Sequence, residues 1–206
     1  MASSDWERLG SRYVSDEGND LILFRTRYDE MRNPRNQLVH TRLVLESVDW
    51  VNMVAVDTSG RSVMVRQYRF GVGYATLETP GGMVDPGEDS LTAAKRELLE
   101  ETGYSGGKWR YLGAVEPNPA IHNNLCHHWL AEDVVKTDDM DLGEGEAIQL
   151  ELMDANAIAA AIASGELRHA LAISVLSRVF PLWDHPFVEH TQVDSVGDDG
   201  NADISG

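Results

Sequence analysis

The sequence predicts an α+β fold, on three observations. Met53–Val56 and the alternating run Ser62–Arg69 are joined by the turn residues Asp57-Thr58-Ser59-Gly60, the pattern of a β-hairpin. Residues 89–102 carry apolar side chains at helical spacing between the capping residues Asp89 and Ser90 and a terminating Gly103. Two further strands, Leu125–Leu130 and Ile148–Leu152, precede two closing helices.

The elements follow in order. The first 45 residues are polar and rich in arginine and aromatics, with short strands expected at Leu21–Arg25 and Thr41–Glu46. In the hairpin, Val63, Val65 and Gln67 share one face and Met64, Arg66 and Tyr68 the other. Thr79-Pro80-Gly81-Gly82 and Asp85-Pro86-Gly87 break the pattern into loops before the helix. After Leu130, residues 132 to 146 read as an acidic loop. Asp154 caps an alanine-rich helix that ends at Gly165. A last helix runs from about His169 to Phe180, with Leu171, Val175, Leu176 and Val179 as its core stripe, and Pro181 stops it. From Glu189 onward the chain has five acids and no Lys or Arg, so a disordered tail is expected. The expected division is an arm over 1–45, a main domain over 46–186 and a tail over 187–206.

Composition narrows the function. The 206 residues carry a net charge of −17, which opposes long-range attraction to nucleic acid or an anionic membrane. An acidic protein that acts on an anionic substrate needs a local reversal of sign, and bound divalent cations supply one. Cys126 is the single cysteine, so no intrachain disulfide can form, which suits a reducing cytoplasm. Met1–Trp6 lacks a basic-then-apolar segment, and no apolar run approaches the roughly 20 residues of a membrane helix. A cytoplasmic location is expected. His122, His127 and His128 do not have the spacing of a tight zinc motif, and Cys126 reads as core.

The 89–102 helix breaks a rule of helix design. Leu91, Ala94 and Leu98 form its buried stripe, and Glu97, Glu100 and Glu101 crowd together beside it. Like charges at these spacings repel. Arg96, one turn before Glu100, answers only part of that charge, and Lys95 lies on another face. A solvated acidic face is one reading; a site for a hard cation is the other.

The surroundings favour the cation. Gly82, five residues, Glu88, seven residues, then Arg96-Glu97-Leu98-Leu99-Glu100-Glu101-Thr102-Gly103-Tyr104 resembles the box of the Nudix hydrolases. Every fixed position is present at its spacing; Tyr104 stands where an aliphatic residue is usual, at a packing position. The resemblance runs from about residue 6 to 183. It implies an α/β/α sandwich around a mixed sheet, preceded by a strand arm. It implies metal binding by Glu97, Glu100 and Glu101, with the Gly81 carbonyl as a further ligand. Arg96 would orient the glutamates, and Glu88 would support the loop–helix junction. Magnesium, with manganese as a substitute, would be the cofactor.

Arg66-Gln67-Tyr68-Arg69-Phe70 and Leu77-Glu78-Thr79-Pro80-Gly81-Gly82 look like the run before the box in the ADP-ribose pyrophosphatase branch, as does Pro119, 16 residues beyond Gly103. The resemblance places Arg69 on the substrate diphosphate, with Glu78, Pro119 and Asn124 as further substrate contacts. Residues 120–124, Ala-Ile-His-Asn-Asn, depart from the glycines and glutamate usual there, which leaves the distal sugar open. Glu144-Gly145-Glu146 resembles the late acidic loop that carries the general base: Glu144 as base, Glu146 as a second base or metal ligand. The arm in this branch pairs with a second subunit, and Trp6 and Phe24 are its candidates to stack on the nucleobase. The implied activity is hydrolysis of ADP-ribose or a related nucleoside diphosphate sugar by a homodimer. Alternatives are a pyrophosphatase of GDP-mannose or another sugar nucleotide, and a non-catalytic nucleotide-sugar sensor.

Overall fold

The computed structural model describes residues 7–13, 24–143 and 147–182. The chain folds as β1 (Glu7–Tyr13), β2 (Arg25–Arg32), β3 (Val39–Glu46), β4 (Trp50–Asp57), β5 (Ser62–Arg69), β6 (Tyr74–Glu78), β7 (Gly81–Met83), α1 (Ser90–Thr102), β8 (Tyr104–Val115), β9 (Cys126–Lys136), β10 (Ile148–Met153), α2 (Ala155–Ala163) and α3 (Ala170–Leu176). The first three strands make an antiparallel sheet of their own, ordered β1-β2-β3. The other seven form one mixed sheet, ordered β10-β5-β4-β9-β8, in which β4 and β9 run parallel.

Alternation along β4 explains the layers. Met53 enters one core cluster and Val54 the other. On the first face, Ala93, Ala94 and Leu98 of α1 pack on Val51, Met53, Ala55 and Val63. On the second, Ile158 and Ala161 of α2 and Ala172, Val175 and Leu176 of α3 pack on Val54, Met64 and Leu77. Helices thus cover both faces of the sheet, giving the expected helix–sheet–helix sandwich. A parallel pair at the centre requires this cover.

The hairpin turn forms because Asp57 caps it: its carboxylate accepts from the Ser59 and Arg61 amides, and Gly60 takes φ +81°. Beyond Ser62 and Val63, strands β4 and β5 separate. The segment from Tyr74 to Met83 fills the gap, β6 pairing with β5 and β7 with β4. This wedge delivers Gly81 and Gly82 to the N-terminal half of β4, beside α1.

Helix α1 begins and ends as expected, at the Asp89 cap and at Gly103 with φ +71°. Several expectations need correction. A 12-residue strand, β8, occupies 104–115 where none was foreseen. Gly106, Gly107 and Gly113 hide it in the sequence, although the pairing to β9 continues past all three, with one register shift between Tyr111 and Gly113. The acidic loop also starts later than 132, because Glu132–Lys136 extend β9 along that new neighbour. The last helix is shorter than expected, ending at Leu176, with turn-like hydrogen bonds from Arg178 to Phe180. Arg25, expected to close a strand begun at Leu21, instead opens β2, which runs to Arg32; residues 21–23 lie outside the described residues, as does the 187–206 tail.

Among the described residues, no helix is long and apolar enough to cross a membrane.

Candidate active site

The site is built on one end of α1 and the wedge it packs against. Arg96 is its hub. Its Nη1 donates to Glu97 at 2.8 Å and to Glu100 at 3.1 Å; its Nε and Nη2 donate to Glu88 at 3.2 and 3.0 Å. Nη2 also donates to the Met83 carbonyl at 2.9 Å, which ties the helix to the end of β7. The Glu88 hydrogen bond, joined by those of Glu97 and Glu100, holds the Arg96 pKa well above its ordinary value despite burial. Arg96 in turn pulls the Glu88 carboxyl below the usual range.

The three glutamates do not share one solvated face. Glu101 is only 5% exposed, and its Oε2 accepts from the Gly81 amide at 3.0 Å. A buried carboxylate needs such a partner. Glu97 lies against Gly82: a Cβ added there would stand 2.2 Å from its carboxyl carbon. Glycine at 82 is therefore a clearance for a carboxylate. Gly81 is equally confined, with Val51 O and Asn52 Nδ2 both 2.3 Å from where a Cβ would be.

The donor set suits a hard divalent cation in kind: carboxylate oxygens, one held in a buried position, beside a backbone loop. One arginine stands against Glu88, Glu97, Glu100 and Glu101, so negative charge is in excess. Among the described residues, no three carboxylate, imidazole or thiol groups stand close enough to close on one ion as they are. Glu97 and Glu100 face Arg96 instead.

A second cluster surrounds Glu78, which is 1% exposed. Arg69 donates to it through Nε at 2.8 Å and Nη2 at 2.7 Å, the Thr76 hydroxyl donates to its Oε1, and His169 Nε2 stands 3.5 Å from its Oε2. Burial opposes ionisation of Glu78, but Arg69, His169 and Thr76 outweigh it and hold its pKa below the usual value. Burial likewise lowers the pKa of His169, with Arg69 adding to the effect and Glu78 opposing it. Nothing local in the sequence points to His169, which lies 91 residues from Glu78.

The remaining candidates are dispersed. Pro119 is exposed in a turn between β8 and β9. Asn124 is buried, and its Nδ2 donates to the Val48 carbonyl at 3.1 Å. Phe24 packs within the chain, its ring 5.1 Å from that of His122 and 6.3 Å from that of Trp50. Trp6, Glu144 and Glu146 lie outside the described residues. The histidines point apart: His127 bridges Tyr111 and Asp49 at 2.9 and 3.0 Å, whereas His128 is fully buried and its pKa is lowered to about 4 by that burial. Burial pushes the Cys126 thiol up to about 12, and its Sγ lies 3.3 Å from Asn52 Oδ1.

A mixed sheet between helices, with a Gly-to-Glu box wrapped around one arginine, defines a class. The NUDIX domain family model matches residues 48–173, more than half of the chain, and the protein belongs to that family. Among known proteins, the ADP-ribose pyrophosphatase of Mycobacterium tuberculosis (strain ATCC 25618 / H37Rv) is 33% identical over 132 residues, 64% of this chain and 61% of that protein. The ADP-ribose pyrophosphatase of Bacillus subtilis (strain 168) is 33% identical over 101 residues, 48% of this chain and 55% of that protein. The chain thus spans less than two thirds of these relatives' length. A solved structure of an ADP compounds hydrolase shares the fold, with a TM-score of 0.71 and 20% identity over 84% of this chain and 91% of that one.

Proposed function

We propose that the protein hydrolyses the pyrophosphate bond of ADP-ribose or a related nucleoside diphosphate sugar, releasing a nucleoside monophosphate and a sugar phosphate. The observation that carries this is the under-neutralised carboxylate cluster around Arg96, with Glu101 fixed by the Gly81 amide and Glu97 seated over Gly82. Two relatives named as ADP-ribose pyrophosphatases support the substrate class.

Glu97, Glu100 and Glu101, with the Gly81 carbonyl, would hold the metal. Bound magnesium, or manganese in its place, would neutralise the diphosphate and acidify a water. Arg96 keeps Glu97 and Glu100 from repelling one another while the site is formed. Arg69, anchored on Glu78, would contact a diphosphate oxygen. Glu144 would take the proton from the attacking water, and Glu146 would add a ligand. Pro119 and Asn124 would border the sugar, and Trp6 and Phe24 the base.

The partner protein would be a second copy of this chain, in the cytoplasm. Val39 and Leu43, 47% and 38% exposed, share one face of the β1-β2-β3 sheet and suit such a contact. Residues 1–45 would be the arm and 46–186 the hydrolase domain.

The test is a hydrolysis panel of ADP-ribose, GDP-mannose, UDP-glucose, NADH and a dinucleoside polyphosphate, with and without magnesium. Metal-dependent preference for ADP-ribose is expected. Preference for another sugar nucleotide would keep the chemistry and replace the substrate. Tight binding without turnover of any of them would make the protein a sensor.

A further inference from the structure

The segment Glu166–His169, leading into α3, fastens to the β5–β6 hairpin at three places. Glu166 accepts from Arg66 Nη2 at 2.7 Å. Arg168 lies over the Tyr74 ring, 5.3 Å from its centroid, and donates to its hydroxyl at 3.0 Å. His169 reaches Glu78, as described. The hairpin so held is the one that carries Arg69.

His169 has a second contact that fixes its state. It is the N-cap of α3, and its Nδ1 accepts from the Ala172 amide at 3.3 Å. A nitrogen that accepts carries no proton, so the hydrogen sits on Nε2, the atom that faces Glu78. The imidazole therefore stands between a helix terminus and a buried carboxylate, 3.5 Å from the carboxylate's Oε2. That carboxylate uses both oxygens on Arg69.

We infer that His169 is a positioning residue for substrate, holding Glu78 so that the Arg69 guanidinium keeps one orientation toward the diphosphate of the ligand. The inference rests on the proposed pyrophosphatase reading. A guanidinium fork binds two oxygens well only in a fixed plane. Glu78 sets that plane, and His169, close to the same Oε2 that accepts from Arg69 Nη2, limits the rotation of Glu78. No further chemistry is asked of the imidazole; it does not touch the substrate.

Two substitutions separate this role from helix capping. His169→Asn keeps the cap, since asparagine caps at least as well, but its amide ends short of Glu78. His169→Gln restores a donor of about the right reach and weakens the cap. The expected result is a KM for ADP-ribose raised roughly five- to tenfold in His169→Asn, with kcat little changed and an unchanged melting temperature. His169→Gln should show a KM near the parent value and a lower melting temperature. In an Arg69→Lys background, His169→Asn should add little further to KM, because both changes act through one guanidinium.

A parent-like KM in His169→Asn would overturn the inference. So would an effect of undiminished size in the Arg69→Lys background. If the parent protein neither hydrolyses nor binds any nucleoside diphosphate sugar in the panel, the functional reading fails, and the inference falls with it by a visibly different result.

Discussion

Arg96 and Arg69 both sit among carboxylates, and the ratio of charges separates them. Arg96 serves Glu88, Glu97 and Glu100, with Glu101 adjacent on the helix. Arg69 gives Glu78 two donors for its two oxygens. The first cluster stays negative after its arginine is counted, so a cation lowers its energy. The second pairs one arginine with one buried carboxylate, and the arginine side chain is 42% exposed. On the proposed reading, one region takes up positive charge and the other offers it. A metal-bound diphosphate requires both.

The largest expected effect tests the first region. Glu101→Gln keeps an oxygen to accept from the Gly81 amide, so the fold should persist, but a buried negative ligand is lost. Initial rates at saturating magnesium should fall by roughly 100-fold or more, beyond the usual loss for a group that only supports a ligand. Parent-like rates would remove the metal role from this cluster. Gly82→Ala follows. Its Cβ would meet the Glu97 carboxylate at 2.2 Å and push it aside. A loss of about 10- to 100-fold, with a higher magnesium requirement, is expected. A magnesium titration that overlays the parent's would show that Glu97 is not needed where it stands.

The two regions also differ in how far they can be read from sequence. Every partner of Arg96 lies within 13 residues of it, on one helix and the loop before it, so helical spacing and a motif reveal the cluster. The Asp89 cap and Gly103 stop were legible for the same reason: their chemistry is local. Glu78 and His169 meet only because α3 packs across the sheet, and no local pattern records that. Strand β8 escaped because Gly106, Gly107 and Gly113 interrupt its side-chain pattern, although its pairing to β9 runs on through them with one register shift, between Tyr111 and Gly113. The wedge β6–β7 escaped because Pro80 marks a break, which is true of the hydrogen bonding but not of the path. Glu101 was placed with its neighbours on an acidic face, but its burial depends on the Gly81 amide, a partner supplied by tertiary structure.

Arg69→Lys sharpens the comparison from the other side. Lysine keeps the charge and loses the fork. The KM for ADP-ribose should rise about tenfold while kcat and the magnesium requirement stay close to the parent's. If the magnesium requirement shifts instead, the two regions are not separate in function, and the balanced pair belongs to the metal site.

The smallest effect is on stability, and pH reveals it. Glu78 titrates below its ordinary value of 4.5 in the folded protein. The folded state then binds fewer protons than the unfolded one between those two values, so its carboxylate stabilises the fold above about pH 4.5, and that contribution is lost as pH falls through the folded pKa. Glu78→Gln should therefore cost about 2 kcal/mol at pH 7, less than for a fully buried pair because water still reaches Arg69. The gap from the parent should narrow steadily in denaturant melts taken below pH 4.5. Glu88 is also held down, by Arg96, but that arginine keeps Glu97 and Glu100 when Glu88 is gone. Glu88→Gln should thus lose less at pH 7 and change less with acid. Equal pH dependence in the two variants would mean that the balanced pair is no more tightly coupled to the fold than one member of the crowded cluster, and the distinction between the two arginines would rest on catalysis alone.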